Sequence, residues 1–188
     1  MTFSALLLAG CESRRMGRDK ATMEFQGRPL WERQLALLRA LGPGKIFVSA
    51  RTAPSWLPER VELLLDDPPS RGPMSGLTKA LAAIATTHLI VLAVDMPFMT
   101  ACELERLSDQ VGEGCGIVPV IGGQVEPLAA IYPAEATVDF RGALAGSDSS
   151  LQPLVRQLAA IDKIKLWAVG KEGAHLYRSV NEPGDVKL

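Results

Sequence analysis

Four cations fall within seven residues, Arg14, Arg15, Arg18 and Lys20, in the run Leu8-Ala-Gly-Cys-Glu-Ser-Arg-Arg-Met-Gly-Arg-Asp-Lys20. The whole chain carries 20 Lys+Arg against 21 Asp+Glu, a net charge of −1, so this positive charge is a matter of placement. Gly10 and Gly17 let the backbone turn tightly and present N–H groups to an anion. Arginine and lysine bind phosphate oxygens through charge-assisted hydrogen bonds, so a triphosphate is the natural occupant. Two familiar phosphate loops do not fit. G-x-x-x-x-G-K-[ST] fails because Gly10 and Gly17 are seven apart and Lys20 follows Gly17 by three, and G-x-G-x-x-G fails at Glu12. The bland alternative is a solvated basic loop.

A second candidate is Asp95, which follows the apolar run Leu89-Ile-Val-Leu-Ala-Val and is halted at once by Pro97. A carboxylate beside phosphates needs a cation between them, and Mg2+ takes one or two carboxylates together with phosphate oxygens and water. The third is Asp66-Asp67-Pro-Pro-Ser-Arg-Gly-Pro-Met-Ser-Gly76, where Gly72 and Gly76 allow backbone to approach a ligand closely. Alone, this stretch reads as a surface loop with turn residues.

The elements that must position these residues follow from periodicity. Phe3–Ala9, Lys45–Ala50, Val61–Leu65 and Leu89–Val94 are short, nearly continuous apolar runs, as expected of strands buried on both faces. Between the first two a helix is expected over Pro29–Leu41, where Leu30, Leu37, Leu38 and Leu41 sit at helical spacing, and Gly42-Pro-Gly44 is a helix stop. Met74–Ala85 is rich in Ala and Leu and reads as a helix. Alternating strands and helices imply parallel strands with crossovers and a three-layer unit. Both the basic loop and Asp95 then leave the sheet at strand C-termini, where open α/β sheets bind ligands.

Thr100-x-x-Glu103 has the form of a capping box before Leu104, Leu107 and Val111. Cys115–Val120, Gly122-Gly123 and Val125–Tyr132 read as a hairpin or a crossing strand pair. Residues 134–161 read as two helical pieces broken near Gly146, Ile164–Val169 as a late strand, and Pro183–Leu188 as a terminal turn or short helix. No linker divides the chain, so one domain over 1–188 is expected.

Composition excludes several classes. Without a basic excess, a dedicated nucleic-acid binder is not expected. The apolar start lacks a basic n-region and reads as a strand, and no run is long enough to span a bilayer. Cys11, Cys102 and Cys115 are odd in number and lack C-x-x-C spacing, which points to reduced thiols, a cytoplasmic location and no structural zinc. Cys11 reads as a packing residue.

Taken in order, these motifs resemble the molybdenum cofactor guanylyltransferase family (MobA-like nucleotidyltransferases). Leu-Ala-Gly-x-x-Ser-x-Arg15-Met-Gly17-x-Asp19-Lys20 is similar to the family signature. Gly72-Pro73-Met-Ser-Gly76 resembles its Gly-Pro-Leu-Ala-Gly, and Asp95-Met-Pro97-Phe its Asp-x-Pro-[Phe/Tyr]. Glu126-Pro127-Leu-Ala-Ala-Ile-Tyr132-Pro resembles Pro-Leu-x-Ala-x-Tyr, and Asn181-Glu-Pro183-Gly-Asp185 resembles Asn-Thr-Pro-Glu-Asp. The set spans residues 5 to 186.

The resemblance implies an α/β fold of three α/β/α layers, Rossmann-like, with a mostly parallel mixed sheet. It implies transfer of GMP from GTP to the phosphate of molybdenum cofactor (molybdopterin), with Mg2+ and release of pyrophosphate. It implies that Leu8, Ala9 and Gly10 hold the nucleotide by backbone contacts, that Arg15 and Lys20 hold phosphates, and that Asp95 holds Mg2+ and nucleotide. Asp67 is to face the nucleoside, or Asp66 in its place because the loop is short, and Asn181 belongs to the pterin side. Ser49 stands where the family often has Asn and keeps a hydrogen-bonding group; Cys11 stands where it usually has Gly, and Ser179 where Asn is common. GTP and the cofactor are then the partners, with transient contact to proteins that deliver or accept the cofactor. A relative using another base or acceptor, such as a cytidylyltransferase, and a non-catalytic nucleotide-binding protein are the alternatives.

Overall fold

The computed structural model describes residues 1–10 and 19–180. Among them, ten strands and five α-helices follow one another: β1 (Phe3–Leu8), β2 (Glu24–Phe25), β3 (Arg28–Pro29), α1 (Leu30–Ala40), β4 (Ile46–Ala50), β5 (Glu62–Leu65), α2 (Pro73–Ala83), β6 (His88–Ala93), α3 (Ala101–Ser108), β7 (Gly116–Ile121), β8 (Gln124–Val125), β9 (Ala129–Pro133), α4 (Thr137–Ala145), α5 (Leu151–Ala160) and β10 (Ile164–Ala168).

The main sheet runs in the order β10-β7-β9-β6-β1-β4-β5, with β8 paired to β7. β1 pairs in parallel with β4 and β6, β4 with β5, and β7 with β10. β9 is antiparallel to both of its neighbours. The expected mostly parallel mixed sheet is therefore present. The chain steps from β1 to β4 and β5 on one side and then returns to β6 on the other. That reversal places a topological switch point at the C-terminal ends of β1 and β6.

Side chains alternate faces along a strand, and the core divides accordingly. Leu7, Val48, Ile90 and Leu92 pack with Leu30, Leu35 and Leu38 of α1 and Leu104 and Leu107 of α3. Leu6, Leu8, Phe47, Leu89 and Val91 pack with Met74, Leu77 and Leu81 of α2, Phe140 of α4 and Leu154 and Leu158 of α5. Two apolar faces on one sheet explain why β1, β4 and β6 are mostly apolar on both sides, with no regular polar alternation.

Three readings are refined. A β2–β3 hairpin, unforeseen from the sequence, turns through Gln26 and Gly27, both at positive φ (51° and 76°), so α1 begins at Leu30 and not at Pro29. The segment after Cys115 is both a hairpin and a crossing: β7 returns through Gly122 and Gly123 as β8, and the chain then crosses to β9. The capping box is half made. Thr100 Oγ1 accepts from the Glu103 N–H at 3.2 Å, but the Glu103 carboxylate is engaged by the Tyr177 hydroxyl at 2.7 Å and Arg106 at 3.1 Å. The two helical pieces parted at Gly146 and the late strand stand where expected; Pro183–Leu188 lies outside the described residues. Among the described residues no helix is long and apolar enough to cross a membrane.

Candidate active site

The C-terminal ends of β1, β4 and β5 open onto a cleft of about 220 Å³ lined by Leu8, Gly10, Ser49, Arg51, Asp66, Gly72 and Pro73. Gly72 is the N-cap of α2 at φ 62°, and Pro73 occupies its first turn. The positive end of an 11-residue helix dipole therefore faces the cleft. Gly76, one turn on, is required by packing. A Cβ there would lie 2.2 Å from Ser49 Oγ and 3.0 Å from Leu8 Cδ2, so only glycine lets α2 sit this close to β1 and β4. Gly10 differs: its φ is not positive, and a Cβ would make ordinary contacts with Ala50 and Arg51. What it supplies is open space in the cleft wall.

Of the two neighbouring carboxylates, Asp66 lines the cleft and Asp67 does not. Asp66 accepts hydrogen bonds from Ser70 Oγ at 2.5 Å and Ser49 Oγ at 3.3 Å. The Asp67 side chain is 83% exposed and paired with Lys79 at 2.7 Å. Alternation decides this: successive residues leaving β5 point to opposite sides, and only one can face inward. Ser49, 3% exposed, directs its hydroxyl to Asp66.

Lys20 and Asp95 meet. Lys20 Nζ lies 3.1 Å from Asp95 Oδ2, and the two residues are 8% and 9% exposed. Lys20 opens a 3-10 turn, Lys20–Thr22, capped by Asp19, whose Oδ1 accepts from the Ala21 N–H at 2.9 Å. Asp95 extends from β6, where the Val94 N–H donates to Leu8 O at 3.0 Å and so ties the tips of β6 and β1 together. Its own carbonyl accepts from the Val180 N–H at 2.8 Å. From the α1 side, Gln34 Nε2 donates to Met96 O at 2.5 Å and Arg33 to Pro97 O at 2.7 Å. Met96 and Pro97 are thus fixed directly behind Asp95.

Glu126 is a further carboxylate at this rim that sequence reasoning passed over. The Ala93 N–H donates to Leu128 O at 2.8 Å, which brings the 126–128 crossing to the tip of β6. Burial raises the Glu126 pKa above its ordinary 4.5; the Leu128 N–H lowers it, and the nearby Asp95 charge raises it. The signal that could have found it is a lone acid heading the otherwise apolar motif Glu126-Pro127-Leu. The Tyr132 hydroxyl donates to Pro127 O at 2.8 Å and pins the same crossing.

Among the described residues no group of three or more His, Cys, Asp or Glu could hold a metal. Mg2+ carried in on a triphosphate would ask only one or two carboxylates of the protein. Asp95 already holds a cation, the Lys20 ammonium, at its tip. His88 is wholly buried at the N-terminal end of β6, the opposite end of the strand from Asp95, and His175 is bonded to Glu172 O in an exposed turn. Neither histidine is at the site. Cys11, Arg14, Arg15, Gly17, Arg18 and Asn181 lie outside the described residues.

The family model described as MobA-like NTP transferase domain matches residues 5–162. A probable molybdenum cofactor guanylyltransferase from Opitutus terrae is 35% identical over 95% of this chain and 90% of its own. One from Chloroflexus aggregans is 31% identical over 100% and 93%. Among solved structures, molybdopterin-guanine dinucleotide biosynthesis protein A from Archaeoglobus fulgidus superposes with a TM-score of 0.74 at 19% identity, covering 97% and 94% of the two chains. A Mycobacterium tuberculosis protein solved in complex with manganese gives 0.63 at 18% identity, covering 89% and 88%. On the family model over residues 5–162 and two relatives 35% and 31% identical across nearly the whole chain, it belongs to the MobA-like NTP transferase family and is a nucleotidyltransferase.

Proposed function

We propose that this enzyme transfers GMP from GTP to the phosphate of molybdenum cofactor (molybdopterin), releases pyrophosphate, and works with Mg2+. The observation that carries the reading is the buried pairing of Lys20 with Asp95 at the switch point, beside a cleft of nucleoside size. The names of the two guanylyltransferase relatives support the base and the acceptor.

The chemistry asks little of the side chains beyond charge and position. A phosphate oxygen of the acceptor attacks the α-phosphorus of GTP in line, the bond to the β-phosphate oxygen breaks, and pyrophosphate leaves with the electron pair. The nucleophile is ionised at neutral pH and needs no general base, and neither histidine lines the cleft. The barrier is anion meeting anion, so prearranged positive charge lowers it. Lys20 holds phosphate oxygens and stabilises charge on the leaving group, with Arg15 beside it in the sequence. The backbone of Leu8, Ala9 and Gly10, with Ser49 and Asp66 opposite, holds the nucleoside; Asp67, facing Lys79, takes no part. Asn181 follows the Val180 tether to Asp95 and is assigned to the pterin side. Asp95 would hold Mg2+, which when bound supplies further charge neutralisation on the phosphates. Reaction in the cytoplasm, with transient contact to proteins that deliver or accept the cofactor, belongs to the same proposal; Cys102 and Cys115 are free thiols.

The test is pyrophosphate release by the purified protein with Mg2+, molybdopterin and each of GTP, CTP, UTP and ATP in turn. Turnover confined to GTP is expected. Turnover with CTP would reassign the enzyme to cytidylyl transfer, and no turnover or binding with any nucleotide would overturn the proposal.

A further inference from the structure

The turn that projects Lys20 is held from outside the phosphate loop. Asp19 divides its carboxylate: Oδ1 caps the turn at the Ala21 N–H, and Oδ2 accepts the indole N–H of Trp56 at 2.8 Å. Trp56 lies in the 51–61 connection between β4 and β5, and its ring stacks on Trp31 of α1, with centroids 5.2 Å apart and planes within 12°. The far end of the turn reaches the same helix, since the Leu30 N–H donates to Met23 O at 2.8 Å. Both ends of the Lys20 turn are thus tied to the start of α1, one by backbone and one through the stacked tryptophans. The 51–61 connection itself starts at Arg51 in the cleft wall.

We infer that Trp56 is a positioning residue for the reaction: by holding Asp19 it fixes the cap of the Lys20 turn and so aims the lysine ammonium. This rests on the role of Lys20 given above. Asp19 is exposed, and an exposed carboxylate without a second partner samples several rotamers. The lysine stem is long and flexible, so its aim depends on the backbone that launches it. Misplacement by about 1 Å of a group that stabilises a transition state costs on the order of 100-fold in rate. Substrate binding depends much less on one such group than the chemical step does.

Trp56→Phe keeps a six-membered ring to stack on Trp31 and removes the indole N–H donor. Its kcat should fall about 10- to 100-fold, toward the cost of misplacing the lysine ammonium by about 1 Å, while the KM for GTP stays near that of the parent. Placed in Lys20→Ala, the same change should cost less than about twofold more, because its effect passes through the missing ammonium. Asp19→Asn keeps an oxygen for the Ala21 N–H and turns an amide donor toward the indole. It should cost as much as Trp56→Phe and not add to it, and it serves the same cycle should Trp56→Phe fail to fold. Parental kcat in Trp56→Phe, or an equal fold loss in the Lys20→Ala background, would overturn the inference. A Lys20→Ala enzyme with parental kcat/KM would instead remove the role proposed for Lys20.

Discussion

Lys20 and Asp95 form a buried ion pair, and on the proposed reading a triphosphate would draw the lysine to its phosphates. A buried pair stripped of one member leaves an uncompensated charge at a cost of about 3–5 kcal/mol. Lys20→Ala should therefore lose stability as well as about 30- to 1000-fold in kcat/KM, or roughly 2–4 kcal/mol of transition-state stabilisation. Calorimetry and steady-state kinetics on one preparation read both. Asp95→Ala should abolish metal-dependent turnover, and an unchanged Mg2+ titration curve would remove Asp95 from the site. Glu126 gives a pH test. Its folded pKa is raised chiefly by burial, so the stability it contributes is full below its unfolded value of 4.5 and is lost as pH rises through the raised one. At pH 7 the charged form is a cost. Glu126→Gln, which still accepts from the Leu128 N–H, should raise Tm at pH 7 and make no difference near pH 4. An equal gain at both pH values would show that the carboxyl charge is not the cause.

At the scale of elements, the α2 contact with β1 and β4 shows packing overruling propensity. Alanine is favoured over glycine in a helix by about 1 kcal/mol, so a free helix would gain from Gly76→Ala. Here the new methyl would fall 2.2 Å from Ser49 Oγ and 2.8 Å from Ser49 Cβ, and because that Cβ is fixed by the β4 backbone, α2 must shift away. Overpacking of this kind costs about 1–3 kcal/mol. The expected result is a lower Tm and weaker GTP binding, because α2 carries Gly72 and Pro73 of the cleft with it; a higher Tm would show that the helix can shift freely. Gly116 in β7 is under a similar constraint, since a Cβ would lie 2.1 Å from Ile131 O of β9.

Across the whole molecule, the cleft draws its walls from β1, β4, β5 and α2, so an occupant braces elements distant in sequence. A ligand at a hundred times its Kd stabilises by about 2.7 kcal/mol. For a chain of this size that corresponds to a Tm rise of about 5–10 °C. Saturating GTP with Mg2+ should give that shift, and EDTA should remove most of it. A thermal scan with the other nucleoside triphosphates in parallel reads base selectivity from the same experiment.

Much of this architecture is legible in the order of the residues. Apolar runs without polar alternation mark central strands, because a strand covered by helices on both faces has no wet side. The spacing of Asp95 after its run, and of Lys20 after the basic bend, places both on one rim, because parallel strands end on the same side. Three things were decided by tertiary structure alone. Which of Asp66 and Asp67 faces the cleft depends on the pleat of β5 at its last residue. The Glu103 carboxylate turns to Tyr177, a partner 74 residues away that no local motif could announce. Glu126 and Trp56 join the site through the crossing before β9 and the connection after β4, where the chain has no period to read. Local spacing fixes which residues share a face; only long-range packing decides which face is turned to the cleft and what stands across from it.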